Sequence, residues 1–359
     1  MVEPSTTLPE NQNVQRRMAH LERISKLEPI VFINKEKKEE VAESIVLAHI
    51  LGWKVVVKKG EFQVGDLCVY FEIDSILPQH EAFKFLECVN YRIKTIKLKG
   101  QVSQGLAQPL SILKNFTDKE LPLEEGLDVT EIIGVKKYEN DEDAAASTSR
   151  PGKTSSFPTF FKKTDEERIQ NLKWLISECK DETFYITEKL DGSSISFYYK
   201  DKKFGVCSRN LEVTDPESHF YKAAVDLDIE RKLTELGKNI VLQGEIIGES
   251  IQGNKYNIKG KVVRFFNVYD IDKMEYYDLE DFEKFIKELG YETVPILDRN
   301  FKLPATVDEL LAMAEGPAKY NPKQTREGFV IRPLKERRLA KLGRLSFKVI
   351  SNKFLLKHE

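Results

Sequence analysis

Apolar and polar positions divide the chain into two patterns. Over 29–138 the apolar residues come in short runs separated by turn residues. Residues 53–57 and 67–72 are β-branched or aromatic runs joined through Gly60 and Gly65-Asp66. Residues 91–98 predict another strand, and Gly100 and Gly105 punctuate the next stretch. Closely spaced short strands predict a small all-β module over 28–138. Ahead of it, residues 1–27 read as a polar extension, helical over 13–27. The stretch 139–156 (ENDEDAAASTSRPGKTSS) has few apolar side chains and shifts from acidic to Ser/Thr/Gly-rich. It cannot bury enough surface to offset ordering and reads as a linker.

The second pattern, over 157–359, mixes periods. Thr164 and Glu167 have capping-box spacing, and Ile169, Leu172, Ile176 and Cys179 recur on one face, which predicts a helix. Strand-like runs then dominate to Ile271, interrupted by a helix around 217–236. Asp278 opens a further helix, with Leu279, Phe282, Phe285, Ile286 and Leu289 inward and Gly290 as its stop. Thr306 and Glu309 open a short last one. Asp281 and Asp308 read as first-turn helix acids. This half is mixed α+β, with antiparallel hairpins.

Composition adds exclusions. The 41% hydrophobic and 32% charged residues are those of a soluble globular chain, and the formal net charge of −2 supplies no global positive field. No run approaches the ~18 apolar residues of a membrane span. Glu3, Pro4, Pro9 and Glu10 are unlike a signal or transit peptide. Cys68, Cys88, Cys179 and Cys207 lack metal-ligand spacing and read as reduced, buried thiols of an intracellular protein. The five histidines form no cluster, which argues against a zinc site.

The chemistry concentrates around Thr187-Glu188-Lys189-Leu190-Asp191-Gly192-Ser193-Ser194, between strand-like residues 184–186 and 195–199. Asp-Gly is ordinary turn chemistry, because glycine accepts a positive φ without steric cost. Lys189 is therefore either a surface charge beside a turn or a nucleophile. Five further segments come after it in order: Ser208-Arg209-Asn210, Gly244-Glu245, residues 266–271 (FNVYDI), residues 327–332 (EGFVIR) and residues 346–350 (SFKVI). This ordered set, from about Phe157 to the end, resembles the covalent nucleotidyltransferase superfamily of polynucleotide ligases and messenger-RNA capping enzymes.

That resemblance implies roles. Lys189 matches the lysine that attacks the α-phosphorus of ATP to give lysyl-AMP, a task that requires an unprotonated amine. Glu245 and Glu327 match carboxylates that hold Mg²⁺ or Mn²⁺, and Asp191 acts through metal-bound water. Lys348 matches the second cation at the α-phosphate. Arg209 would hold a phosphate or sugar. Phe266 aligns with the aromatic that stacks on adenine, although a core strand residue reads similarly. Glu188 could accept from the adenine amino group or be an exposed ion-pair partner. Arg332 reads as a structural ion-pair partner. Many members carry Lys-x-Lys in the last motif where this chain has Ser346-Phe347-Lys348. Lys341 and Arg344 are the candidates for the missing lysine.

Two segments sharpen the branch. Residues 163–171 (KTDEERIQN) and 97–106 (KLKGQVSQGL) resemble RNA ligases in which an OB-fold module precedes the transferase. Lys163 and Arg168 could then reach phosphate from near a helix N-terminus. Arg92, Lys94, Lys97 and Lys99, interleaved with Ile93, Ile96 and Leu98, read either as an edge strand protected by lysines or as an RNA-binding face. Capping enzymes and DNA ligases carry the OB domain after the last motif, whereas nine residues follow Ile350 here. The resemblance thus implies an N-terminal OB-fold β-barrel, then a nucleotidyltransferase domain of antiparallel sheets with flanking helices. It implies a monomeric ATP-dependent RNA ligase acting on nicked or paired RNA ends, in which the β module clamps RNA. A guanylyltransferase and a catalytically silent nucleic-acid-binding protein are the alternatives.

Overall fold

The computed structural model describes residues 17–138 and 153–358. The β module is built on β1 (Ala19–Ile33), β2 (Glu39–Ile50), β3 (Trp53–Lys58), β4 (Leu67–Phe71), a hairpin of β5 (Thr95–Leu98) and β6 (Gln101–Gln104), and β7 (Leu106–Pro109). Its five-stranded sheet has the order β3-β2-β1-β4-β7 and curls until the edge strands β3 and β7 touch. Trp53, Tyr70, Phe71 and Phe83 fill its core.

Several expectations are corrected by this fold. The helix expected over 13–27 falls partly outside the described residues, and from Ala19 onward the chain is strand β1. The spacing of Leu21, Ile24 and Leu27 imitates a helix, but register shifts in the β1–β2 ladder rephase the strand. The strand expected over 91–98 begins only at Thr95. Asn90 and Tyr91 are both left-handed (φ 52° and 59°), and Arg92 after them pairs with Asp74. Cys68, Cys179 and Cys207 are buried as expected, whereas Cys88 is exposed. Of the linker, 139–152 lies outside the described residues, and Thr154–Ser156 (β8) pairs with β13 (Leu211–Val213).

The second half holds two sheets. A seven-stranded sheet runs β8-β13-β12-β11-β14-β15-β16, with β11 (Ser193–Lys200), β12 (Lys203–Cys207), β14 (Ile240–Gly248), β15 (Lys261–Asp270) and β16 (Glu275–Tyr276). A five-stranded sheet runs β9-β19-β18-β10-β17, with β9 (Glu167–Arg168), β10 (Phe184–Lys189), β17 (Ile296–Phe301), β18 (Gly328–Pro333) and β19 (Phe347–Ile350).

Each sheet buries one face under helices. The expected helix over 217–236 is split into α2 (His219–Asp226) and α3 (Ile229–Leu236); these pack with α4 (Leu279–Glu288) on the larger sheet. The short α1 (Trp174–Glu178) and α5 (Val307–Ala314) cover the smaller one. Thr306 and Glu309 form the expected capping box of α5. The helix expected from Thr164 does not form. Thr164 Oγ1 instead pairs with Ser194 Oγ, and residues 167–168 join the sheet as β9, leaving a 3-10 turn (Ile169–Leu172) and α1.

The module is fused to the transferase half. Ile350 and Leu355, the latter on α6 (Asn352–His358), belong to the module's core cluster. The Gly52 N–H donates to the Gln170 carbonyl at 2.8 Å, and a Cβ at Gly52 would lie 2.8 Å from Gln170 Cα. Buried His20 contacts Glu22 (2.7 Å) and Glu72 (3.3 Å), and Glu72 in turn accepts from Asn171 Nδ2 (2.7 Å).

Candidate active site

The two sheets meet where the chain crosses from β10 to β11. Lys189 ends β10, and its partner across the ladder is Gly328, next to Glu327. That register brings Lys189 Nζ within 2.6 Å of Glu327 Oε1. Three residues later the chain enters the other sheet, with Ser194 opposite Glu245 on β14. The crossing is tight. The Gly192 N–H donates to Glu245 Oε1 (3.2 Å), the Asp191 N–H to Tyr256 Oη (2.7 Å), and Lys255 pairs with the Asp191 carboxylate. Glycine is required at 192 for room, since a Cβ would lie 2.4 Å from the Ile246 carbonyl. It is not required for the positive φ that Asp-Gly suggests, which Gly192 does not adopt.

A cavity of about 310 Å³ opens above this crossing. Lys189, Asp191, Glu188, Arg168, Arg209, Glu245, Phe266, Glu327 and Lys348 all line it, as does Arg332. The β module contributes Asp74, Arg92, Lys137 and Tyr138, of which only Arg92 was singled out in the sequence. Lys94, Lys97 and Lys99 lie away from the cavity, so the four-residue basic cluster is divided. Lys163 also lies outside and contacts Asn210 (3.3 Å).

Most of the cations face a carboxylate. Asp74 bridges Arg92 (2.9 Å) and Arg168 (3.1 Å), and leaves Arg168 NH1 buried without a partner. Asp165 contacts Lys348 (3.1 Å), Arg209 (3.5 Å) and Lys137. Arg332 pairs with Glu166 (2.9 Å) and donates to Ser346 Oγ (2.9 Å). Ser346, where many relatives have lysine, therefore anchors Arg332. Neither candidate for that lysine reaches the cavity: Arg344 is bound to Glu336 and Lys341 lies over the Trp174 ring. Glu188 is buried, not an exposed ion-pair partner, and both its oxygens accept from the Lys319 N–H (3.1 and 3.0 Å).

Asp165 and Glu166 hid inside a stretch read as a helix cap. Lys255, Asp74 and Lys137 carry no local signal, because only tertiary pairing brings them to Asp191, Arg168 and Asp165.

Burial and charge set the protonation states. Burial pushes Glu245 up to about 8 despite the nearby Lys189. Glu327 is raised for the same first reason. Burial pulls Lys189 down, but Glu327, Glu245 and Asp191 more than offset it, so its ammonium is favoured. Burial would raise Asp74, yet the Arg168 and Arg92 guanidiniums hold it below the usual carboxylate range.

Among the described residues, no three His, Cys, Asp or Glu side chains converge closely enough to cage a metal ion. Glu327 Oε2 is nevertheless buried without a partner, and Glu245 is raised by burial and by the Glu327 and Asp191 charges beside it. That donor set suits a hard cation held through its own waters.

Comparison with known proteins agrees with this geometry. A family model for RNA ligases matches residues 182–350, and an OB-fold domain model matches residues 18–110. No curated protein matches the sequence. Among solved structures, Naegleria gruberi RNA ligase with PPi is 38% identical, with a TM-score of 0.82, 96% of this chain covered and 99% of that one. A lysine-to-alanine variant of it with ATP and Mn is 37% identical (TM-score 0.79, 95% and 99% covered). The apo form of an aspartate-to-alanine variant is also 37% identical (TM-score 0.81, 95% and 98% covered). With a module and a transferase half both matched at this identity, the chain belongs to the RNA ligase family.

Proposed function

We infer that the protein is an ATP-dependent RNA ligase that joins 3′-OH and 5′-phosphate RNA ends, with Lys189 as the residue that carries AMP. One observation carries the reading. Lys189 Nζ lies 2.6 Å from Glu327 in a cavity also lined by Glu188, Arg168, Arg209, Glu245, Phe266 and Lys348.

Lys189 attacks the α-phosphorus of ATP, pyrophosphate leaves, and AMP stays on the lysine through a P–N bond. The RNA 5′-phosphate then takes the AMP, and the 3′-OH attacks that activated phosphate and releases AMP. Lys348 and Arg209 neutralise phosphate charge as it develops. Phe266, half-buried beside Arg332, offers the face for adenine, and Glu188 lines the same cavity. Glu245, Glu327 and Asp191 are the residues that would hold Mg²⁺ or Mn²⁺, which would neutralise the triphosphate. Drawing Glu327 and Glu245 away from Lys189 removes the charges that hold it as an ammonium.

The OB-fold match supports a module that extends back to strand β1, and the pairing of β8 supports a transferase half that begins with Thr154–Ser156. Arg92, Asp74 and Lys137 line the cavity from the module, which supports a role at the nucleotide's phosphates, and Lys94, Lys97 and Lys99 remain candidates for RNA. The test is to incubate the protein with labelled ATP and metal and to look for label on the denatured chain. Label is expected, and Lys189→Met should abolish it. Label from GTP alone, or label that survives Lys189→Met, would overturn the reading.

A further inference from the structure

Asp165 sits where an anionic ligand would be expected. Its carboxylate meets Lys348 from β19 (3.1 Å), Arg209 from the loop after β12 (3.5 Å) and Lys137 from the OB-fold module. The side chains around it are anchored elsewhere: Thr164 to Ser194, Glu166 to Arg332, Glu167 to Asn171 and Arg168 to Asp74. Asp165 lies in a stretch without helix or strand, between tied neighbours. Its side chain is 27% exposed, on the rim of the cavity.

Three cations converging on one partly exposed carboxylate make the charge arrangement that a phosphoryl group would present. Two of those cations, Lys348 and Arg209, are the groups assigned above to the nucleotide's phosphates. A triphosphate cannot pair fully with them while Asp165 does, because each N–H donor serves one acceptor at a time in good geometry.

We propose that Asp165 is an internal stand-in for phosphate: it holds the cation cradle in the nucleotide-free protein and competes with pyrophosphate for it. This rests in part on the lysyl-AMP reading, which makes pyrophosphate the leaving group. Adenylation is chemically reversible. In the reverse step a pyrophosphate oxygen attacks the AMP phosphorus, the P–N bond breaks, and Lys189 leaves as the amine and takes up a proton. An aspartate that reclaims Lys348, Arg209 and Lys137 shortens the stay of pyrophosphate and disfavours that return. The same contact weakens ATP binding, so Asp165 trades ground-state affinity for product release.

The experiment titrates inorganic pyrophosphate into the full-length, unmodified protein by calorimetry, with and without Mg²⁺. Asp165→Asn is expected to bind pyrophosphate about tenfold more tightly, the scale of one released charge-assisted contact. Purified ligase–AMP of the variant should also return ATP faster when pyrophosphate is added. Unchanged or weaker pyrophosphate binding in a variant that melts like the wild type would overturn the proposal, leaving Asp165 a tie between the two halves or a metal-side ligand. Asp165→Ser serves if the Asn variant does not fold. If neither folds, a crystal structure of the wild type with pyrophosphate decides, since an Asp165 still paired with Lys348 would overturn the proposal. Pyrophosphate binding needs no chemistry at Lys189. Loss of the lysyl-AMP reading would therefore appear in the labelling assay and not here.

Discussion

Burial pulls the Lys189 amine down, and Glu327, 2.6 Å away, leads the groups that favour its ammonium instead. The burial that opposes the ammonium acts on the neighbouring carboxylates as well. Glu245 gives this a measurable consequence. Burial pushes it from 4.5 up to about 8, so the folded protein keeps a proton that the unfolded chain loses. Its contribution to stability is intact below about pH 4.5 and declines as pH rises toward 8. Glu245→Gln, which cannot ionise, should melt above the wild type at pH 8 in chelator, with the difference shrinking toward pH 5. A difference that does not vary with pH would mean Glu245 ionises normally. The same variant, and Glu327→Gln, should slow adenylation by at least ~10²-fold, the cost of losing one contact to transition-state charge. Near-normal rates in both would make these carboxylates structural.

At the scale of elements, the motifs were legible because they sit on strands whose ends carry the chemistry. A strand terminus fixes a side chain by register alone, as Lys189 opposite Gly328 shows. Other elements misled for physical reasons. Ile24 and Leu27 stand three apart as in a helix, yet both pack on the module core because a bulge between Ile24 and Lys26 breaks the two-residue alternation of β1. Thr164 and Glu167 have capping spacing, yet Ser194 and Asn171 claim their side chains and the backbone joins a sheet. Phosphate-site partners from the module left no local trace, since pairing across more than 90 positions fixes Arg168 on Asp74. The crossing between the sheets offers the sharpest test. Gly192→Ala puts a methyl 2.4 Å from the Ile246 carbonyl, so the start of β11 must move away from β14. The expected result is a loss of about 1–3 kcal/mol in unfolding free energy, together with loss of adenylation. An alanine variant that labels with ATP at the normal rate would show the close approach to be unnecessary.

At the scale of the molecule, the β module is more than the detachable RNA clamp that a linker suggests. Its core takes in Ile350 and Leu355, and its Asp74, Arg92, Lys137 and Tyr138 wall the cavity. The basic group that the sequence presented as one cluster should therefore divide into two functions. Lys99 and Gly100 are both left-handed (φ 48° and 82°) and form the two-residue turn that lifts Lys97 and Lys99 on the β5–β6 hairpin. That hairpin packs beside α6, whose His358 reaches the cavity rim, so RNA held there would lead to the active site. Replacing Lys97 and Lys99 together by alanine should leave ATP labelling intact, weaken nicked-RNA binding and make its log–log salt slope shallower by about 1.5–2, as two phosphate contacts predict. Arg92→Ala should do the reverse, lowering the labelling rate while leaving the salt slope of RNA binding unchanged. Its guanidinium faces Asp74 at 2.9 Å inside the cavity, away from the hairpin's lysines. Labelling measured by filter binding and RNA affinity measured across a salt series separate the two effects. Equal loss of labelling in both variants would return the four residues to a single role.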